Sequence, residues 1–238
     1  MIKVQSKSKE FKLDSDSRVW DEEYNNFQAI PSSTRNIPSK ALVLFSELLN
    51  FQTKRKVLDA GCGIGRNAIY LAQKGCEVHA VDSSKTALCQ LDHFSKIAGV
   101  RNRIISYDAA LDKVFPFKDN SFDLVLDSYV FCHFIDDRLK SHYKSELHRV
   151  TKPKSIVFSS LFSTDDNYYK ELIDNGHGNG DIVVDPNNGV TKQLYTETTI
   201  KEFFASHFNL LYFVKFRFTD IVLSKPYERS ILILILQK

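Results

Sequence analysis

The sequence predicts an α/β fold: a mostly parallel sheet with helices on both faces, ending in an antiparallel pair of strands. Three observations predict it. Short apolar runs alternate with helical patterns from residue 56 to residue 161. A glycine-rich bend, DAGCGIG, ends the first of those runs and opens a helix. The last two β-rich runs are joined only by SKPYE, a link too short for a parallel crossover.

The elements follow in order. Residues 1–18 are polar and are expected to be mobile, and VWDEEYNNF (19–27) reads as a short helix. The Pro/Ser-rich stretch 30–39 is a connection, and 41–49 is an amphipathic helix entered through Ser39 as its cap. Strand 56–60 precedes a helix over 66–74 that stops at Gly75, and strand 77–82 precedes a helix over 85–98 that stops at Gly99. Strand 103–107, the turn-rich FPFKDNS, strand 122–127, a helix over 137–150 and strand 155–161 complete the alternation. A helix near 198–206 leads to the final strands, 209–223 and 229–237. Between 163 and 191 the chain is rich in Gly, Asn and Asp; a connection that long predicts a lid, a binding loop or disorder.

Bulk properties exclude several classes. With 32 basic and 29 acidic residues among 238, the net charge of +3 is too even for a nucleic-acid footprint. The longest apolar run, 231–236, is far below the roughly 20 residues that span a bilayer, and the polar amino terminus lacks the apolar region of a signal peptide. Cys62, Cys76, Cys89 and Cys132 show no paired spacing, so they are expected to be reduced thiols of a cytoplasmic protein, with neither a disulfide frame nor a metal site.

A glycine bend between a strand and a helix is a nucleotide-cofactor signal, because the backbone can approach a ligand at the helix N-terminus. A dinucleotide fits poorly. Laid on Gly61 and Gly63, the G-x-G-x-x-G pattern puts Arg66 where the third glycine belongs, and Asp59 sets a negative charge beside the pyrophosphate position. A cationic cofactor fits better. Asp59 suits an ammonium group, while Gly61, Gly63 and Gly65 would let an amino-acid moiety and a ribose lie on the backbone. Asp82, about twenty residues beyond the glycines, suits the ribose hydroxyls, and Asp108 an adenine amino group.

These residues resemble the class I S-adenosylmethionine-dependent methyltransferases. VLDAGCGIG resembles their glycine-rich first motif and VDSS their acidic second. YDAALDKVFPFKDNSFDLVLDS resembles the third and fourth motifs, and TKPKSIVFSS the fifth strand with its preceding turn. The resemblance covers about residues 40–162, and the final helix and strand pair also match the family's Rossmann-like seven-stranded sheet. One departure is TKPKS, where the family usually has a Lys-Pro-Gly-Gly turn.

The resemblance implies S-adenosyl-L-methionine as cofactor. It implies that Asp59, Gly61 and Cys62 hold the methionine portion and that Gly63, Gly65 and Asn67 permit its approach. Asp82 would bind the ribose, Ser83, Asp108 and Ala109 would adjoin the adenine, and Asp127 with Ser128 would line the floor near the sulfonium. His133, at the mouth of the crevice, is the candidate general base, and Tyr24 and Arg66 are candidate substrate contacts. The domain organisation expected is an amino-terminal segment, 1–39, that closes over the cofactor, and a methyltransferase domain, 40–238, with an insertion at about 163–191. The stretch DSYV lacks the prolines of enzymes that methylate DNA bases, so the acceptor expected is a small molecule. An RNA or protein acceptor, and a non-catalytic cofactor-binding module, stay open as alternatives.

Overall fold

The computed structural model describes residues 17–27, 30–49 and 55–238; of the stretch 1–18 expected to be mobile, 1–16 lie outside them, and Ser17 and Arg18 open a helix. The chain enters through α1 (Ser17–Glu22), continued by a π-turn over Glu23–Phe27, then α2 (Pro31–Thr34) and α3 (Lys40–Phe45). α3 is shorter than its apolar pattern implies, and Ser39 makes no side-chain cap. The Ser39 amide instead donates to Asn67 Oδ1 at 2.9 Å, tying the entry segment to the glycine loop.

Five strands and three helices then build the parallel part of the sheet: β1 (Lys56–Ala60), α4 (Arg66–Gln73), β2 (Glu77–Asp82), α5 (Lys85–Ile97), β3 (Ile104–Asp108), β4 (Phe122–Ser128), α6 (Asp137–Val150) and β5 (Thr151–Phe162). Gly75 and Gly99 end α4 and α5 at φ 94° and 71°, a region that glycine enters without steric cost. Ser84 caps α5 by accepting from the Ala87 amide, and Asp136 caps α6. β5 starts earlier than expected. Lys154 lies within it at φ 63°, taking a left-handed conformation where the resembling family has glycine.

The stretch expected as a loop or lid has its own structure. α7 (Asn167–Leu172), capped by Asp166, is followed by a small antiparallel sheet of β6 (Gly178–Asn179), β7 (Ile182–Val184) and β8 (Thr191–Gln193). Its Tyr168, Tyr169, Leu172, Val183 and Leu194 form a separate apolar cluster. α8 (Glu197–Ala205) then leads to β9 (Asn209–Val222) and β10 (Lys225–Gln237). Lys225 to Glu228 belong to β10, so the hairpin turn is only Leu223–Ser224, both at positive φ (49° and 65°). That is the two-residue turn whose twist matches paired strands.

The sheet order is β3-β2-β1-β4-β5-β10-β9, with β10 antiparallel to both neighbours. β10 shows why the end of the chain reads as continuous apolar sequence. Ile231, Ile233 and Ile235 enter the core beneath α3 to α5, while Leu232, Leu234 and Leu236 enter the one beneath α6 and α8. Both faces are buried, and each such side chain contributes about 1.5–3 kcal/mol. No helix among the described residues is long and apolar enough to cross a membrane. The order reverses between β1 and β4, and such a reversal opens a crevice at the strands' carboxyl ends.

Candidate active site

A cavity of about 300 Å³ occupies that crevice, within the range of small-molecule sites. Its walls come from the glycine loop, the tips of β2 and β4, the entry segment, and the inserted segment with β10.

The glycine loop is shaped by what packs against it. A Cβ on Gly61 would stand 2.3 Å from Val130 Cγ2, and one on Gly63 2.6 Å from the Tyr24 hydroxyl. Gly65 caps α4 at φ 85°, and a Cβ there would reach 1.9 Å from Leu91 Cδ1. Gly65 thus allows α4 to approach α5, and it is not among the residues that line the cavity.

Asp82 terminates β2 at the cavity wall. Its Oδ2 accepts from the Gly63 amide at 2.7 Å and its Oδ1 from the Ser84 amide at 2.9 Å. Burial raises its pKa, and those amides oppose the rise. Each carboxylate oxygen retains a lone pair for a ligand hydroxyl. Ser83, Ala109 and Ser128 also line the wall, as do Cys62 and Asn67, whose carboxamide is engaged by Ser39.

The remaining acids are placed differently from expectation. Asp59 is 1% exposed, and its Oδ2 has no hydrogen-bond partner among the described residues. Burial pushes its pKa up to about 7; Asp82 adds to the rise, while Arg66 and the Ala68 amide oppose it. Asp108 is paired in register with Asp82, yet its side chain is half exposed and faces Lys85 at 3.7 Å, outside the cavity lining. A carboxylate free to reach water and a lysine stays there. Asp127 is fully buried and structural. It accepts from the Val130 and Phe131 amides at 3.1 Å and from Ser159 Oγ at 2.8 Å, and so holds the turn after β4. Its pKa rises to about 6 through burial.

His133 lines the cavity. Its Nδ1 lies 3.0 Å from the Thr191 carbonyl and therefore donates to it, leaving Nε2 as an acceptor. Burial and then the nearby Lys192 push its pKa down to about 3, so the ring is neutral at pH 7 and a weak proton acceptor. Trp20 packs edge-on against it at 4.8 Å.

The entry segment is the cover. Trp20 and Tyr24 line the cavity. Asp21 Oδ1 accepts from Ser84 Oγ at 2.5 Å and from the Thr86 amide at 3.3 Å, and Asn25 Nδ2 donates to Thr86 Oγ1 at 3.0 Å.

Another part of the cavity wall is cationic and aromatic. Arg66 lines it without a hydrogen bond or ion pair among the described residues, its pKa lowered by burial. Lys192 of β8 and Arg229 of β10 also face the cavity, with Phe162, Tyr168 and Tyr169 around them. Tyr129 stacks on Phe162 at 4.6 Å and sits at φ 66°, a costly conformation for a non-glycine residue that marks functional sites. The sequence reading missed Lys192 and Arg229. Arg229 carries a signal, a lone charge immediately before a run buried on both faces, whereas Lys192 sits in a segment without strong periodicity.

The residues fit an adenosyl ligand: a carboxylate with spare acceptor capacity lies at the strand tip, beside a glycine loop closed by Tyr24. Residues 58–159 match the family model described as "Methyltransferase domain". An uncharacterized protein of Haemophilus influenzae is 28% identical over 169 residues, covering 70% of this chain and 66% of that one. The 2-heptyl-1-hydroxyquinolin-4(1H)-one methyltransferase of Mycobacteroides abscessus is 31% identical over 97 residues, 41% of each chain. The match thus spans less than two thirds of either relative. A Burkholderia thailandensis 1,6-didemethyltoxoflavin-N1-methyltransferase, solved with 1,6-didemethyltoxoflavin and S-adenosylhomocysteine, superposes with a TM-score of 0.68 at 18% identity, over 93% of this chain and 86% of that one. In its sheet order, its glycine loop and the matched residues 58–159, the chain is similar to S-adenosylmethionine-dependent methyltransferases.

Proposed function

We propose that the chain transfers a methyl group from S-adenosyl-L-methionine to a small-molecule acceptor. The observation that carries this reading is the Asp82 carboxylate, held at the cavity wall by the Gly63 and Ser84 amides with acceptor capacity to spare. The cofactor supplies an already activated methyl group. What the chain supplies is alignment and exclusion of water. Asp82 would hold the ribose, Ser83 and Ala109 would adjoin the base, and Gly61 and Gly63 would let the amino-acid portion lie on the loop. Arg66, with no partner among the described residues, suits the carboxylate of that portion. Tyr24 and Trp20 exclude water from above. His133 is neutral and accepts at Nε2, so it can orient an acceptor hydroxyl or amine without bearing a charge next to a cationic cofactor.

The small-molecule reading is supported by the cover of Trp20 and Tyr24 and by the enclosing inserted segment. In this reading residues 1–39 serve as the closing segment and 40–238 as the methyltransferase domain. The four cysteines, all free, support a reducing, cytoplasmic setting.

The test is methyl transfer from radiolabelled cofactor offered separately to small-molecule extracts, RNA and protein. Label entering the small-molecule fraction supports the reading. Label entering only macromolecules, or cofactor binding with no transfer to any fraction, overturns it.

A further inference from the structure

The cavity wall holds two buried cations with unmet donors. Lys192 is 3% exposed, and its Nζ has neither a hydrogen bond nor a carboxylate within ion-pair distance among the described residues. Arg229 is 5% exposed. Its Nε is fixed by Asp166 at 2.8 and 3.1 Å, but Nη2 has no partner among the described residues. Both cations lie near the Tyr169 ring, Lys192 Nζ at 5.7 Å and the Arg229 guanidinium at 5.2 Å, and both line the cavity. Burying a charge without a partner is costly, and structures retain such groups where something supplies the counter-charge.

Asp166 supplies the counter-charge of Arg229 through Nε, but no nearby acid pairs with Lys192 Nζ or reaches Arg229 Nη2 among the described residues. Asp166 is engaged by the Arg229 Nε and the Ser230 amide. Asp185 accepts from the Tyr168 hydroxyl at 2.9 Å and from Asn187, and Glu23 accepts from Ser33, Asn188 and the Ile30 amide. These carboxylates reduce the local positive charge, so a monoanion suits the site better than a phosphate dianion. The surrounding walls are flat and apolar: Tyr129 stacked on Phe162, and Tyr169 edge-on to Phe162 at 4.8 Å.

We propose that the methyl acceptor is an aromatic or similarly flat monocarboxylic acid whose carboxylate bridges Lys192 and Arg229. This rests on the methyl-transfer reading above and names its substrate class. The ammonium and the guanidinium edge give the carboxylate charge-assisted hydrogen bonds on two sides. The ring system lies against the wall of Tyr129, Phe162 and Tyr169, and the opposite end of the acceptor points toward the Arg66–His133 part of the cavity.

The test is calorimetry on the full chain saturated with S-adenosylhomocysteine. The probes are benzoate, phenylacetate and 2-naphthoate, each against its own primary amide. At least one acid is expected to bind at least ten-fold more tightly than its amide, and Lys192→Met and Arg229→Gln are expected to abolish that preference while S-adenosylhomocysteine still binds. Without ligand, Lys192→Met is expected to melt above the wild type, because an uncompensated buried charge is gone. The proposal is overturned when no acid outbinds its amide, when the preference survives Lys192→Met, or when that variant melts lower. A chain that does not bind S-adenosylhomocysteine at all overturns the methyl-transfer reading instead.

Discussion

The Asp82 carboxylate accepts a hydrogen bond from the Gly63 amide at 2.7 Å, joining the tip of β2 to the bend that follows β1. One residue thereby shapes the glycine loop and presents its remaining lone pairs to the cavity. Asp82→Ala removes both, and is expected to weaken S-adenosylhomocysteine binding about ten- to a hundred-fold, the worth of one or two charge-assisted hydrogen bonds. His133→Ala is expected to change that affinity much less. Calorimetry on the two variants checks the contrast.

Gly65 and Gly99 both adopt positive φ, 85° and 71°, but only Gly65 is crowded: nothing lies within 4 Å of a Cβ on Gly99. Gly99→Ala is expected to cost about 1 kcal/mol, from backbone conformation alone. Gly65→Ala adds overpacking against Leu91, for about 2–4 kcal/mol in total. Urea denaturation of both variants gives the comparison.

Asp59 and His133 tilt the pH dependence of the ligand-free protein in opposite directions. Burial raises Asp59 from 3.8 to about 7. The folded chain therefore holds that proton more tightly, and the stability it confers is full below about pH 4 and lost as pH rises to 7. The span corresponds to about 4 kcal/mol. Asp59→Asn is expected to gain on the wild type by up to that amount between pH 4 and 7, with no further gain above pH 8. His133 is depressed from 6.5 to about 3, so its contribution is present above pH 6.5 and lost as pH falls toward 3. His133→Gln is expected to gain on the wild type over that acidic interval. Denaturation midpoints measured across pH for both variants test the two signs.

Arg229 and Asp166 form an ion pair at 2.8 Å with both side chains nearly inaccessible, 7% and 0% exposed. Removing one partner strands the other. Arg229→Met is expected to destabilise by about 3–5 kcal/mol, and the Arg229→Met, Asp166→Leu double variant to recover a large part of it. Thermal unfolding of the single and double variants measures the recovery.

How far the sequence revealed this molecule varied with the kind of signal. Helix α6 and strand β2 have the bounds their patterns predict, because a cap, a glycine stop or a β-branched run marks each end. The SKPYE link misled because Pro226 and its polar neighbours read as a turn, whereas the long hairpin carries them as strand ends. Among site residues, Asp82 could be found because strand-tip position and spacing set its place. Asp108 and Asp127 share that position, yet one turns to Lys85 and the other folds its own turn, choices that depend on side-chain partners distant in sequence. The cationic wall was illegible for the same reason. Lys192 and Arg229 are brought together by the inserted sheet and the last strand, and no local pattern encodes that encounter.

The most direct measurement is a crystal structure of the chain with S-adenosylhomocysteine. The account predicts both ribose hydroxyls within hydrogen-bonding distance of the Asp82 carboxylate, with the sulfur directed toward the space between Arg66, His133 and Lys192. A ribose remote from Asp82, or a ligand bound outside this cavity, would contradict it.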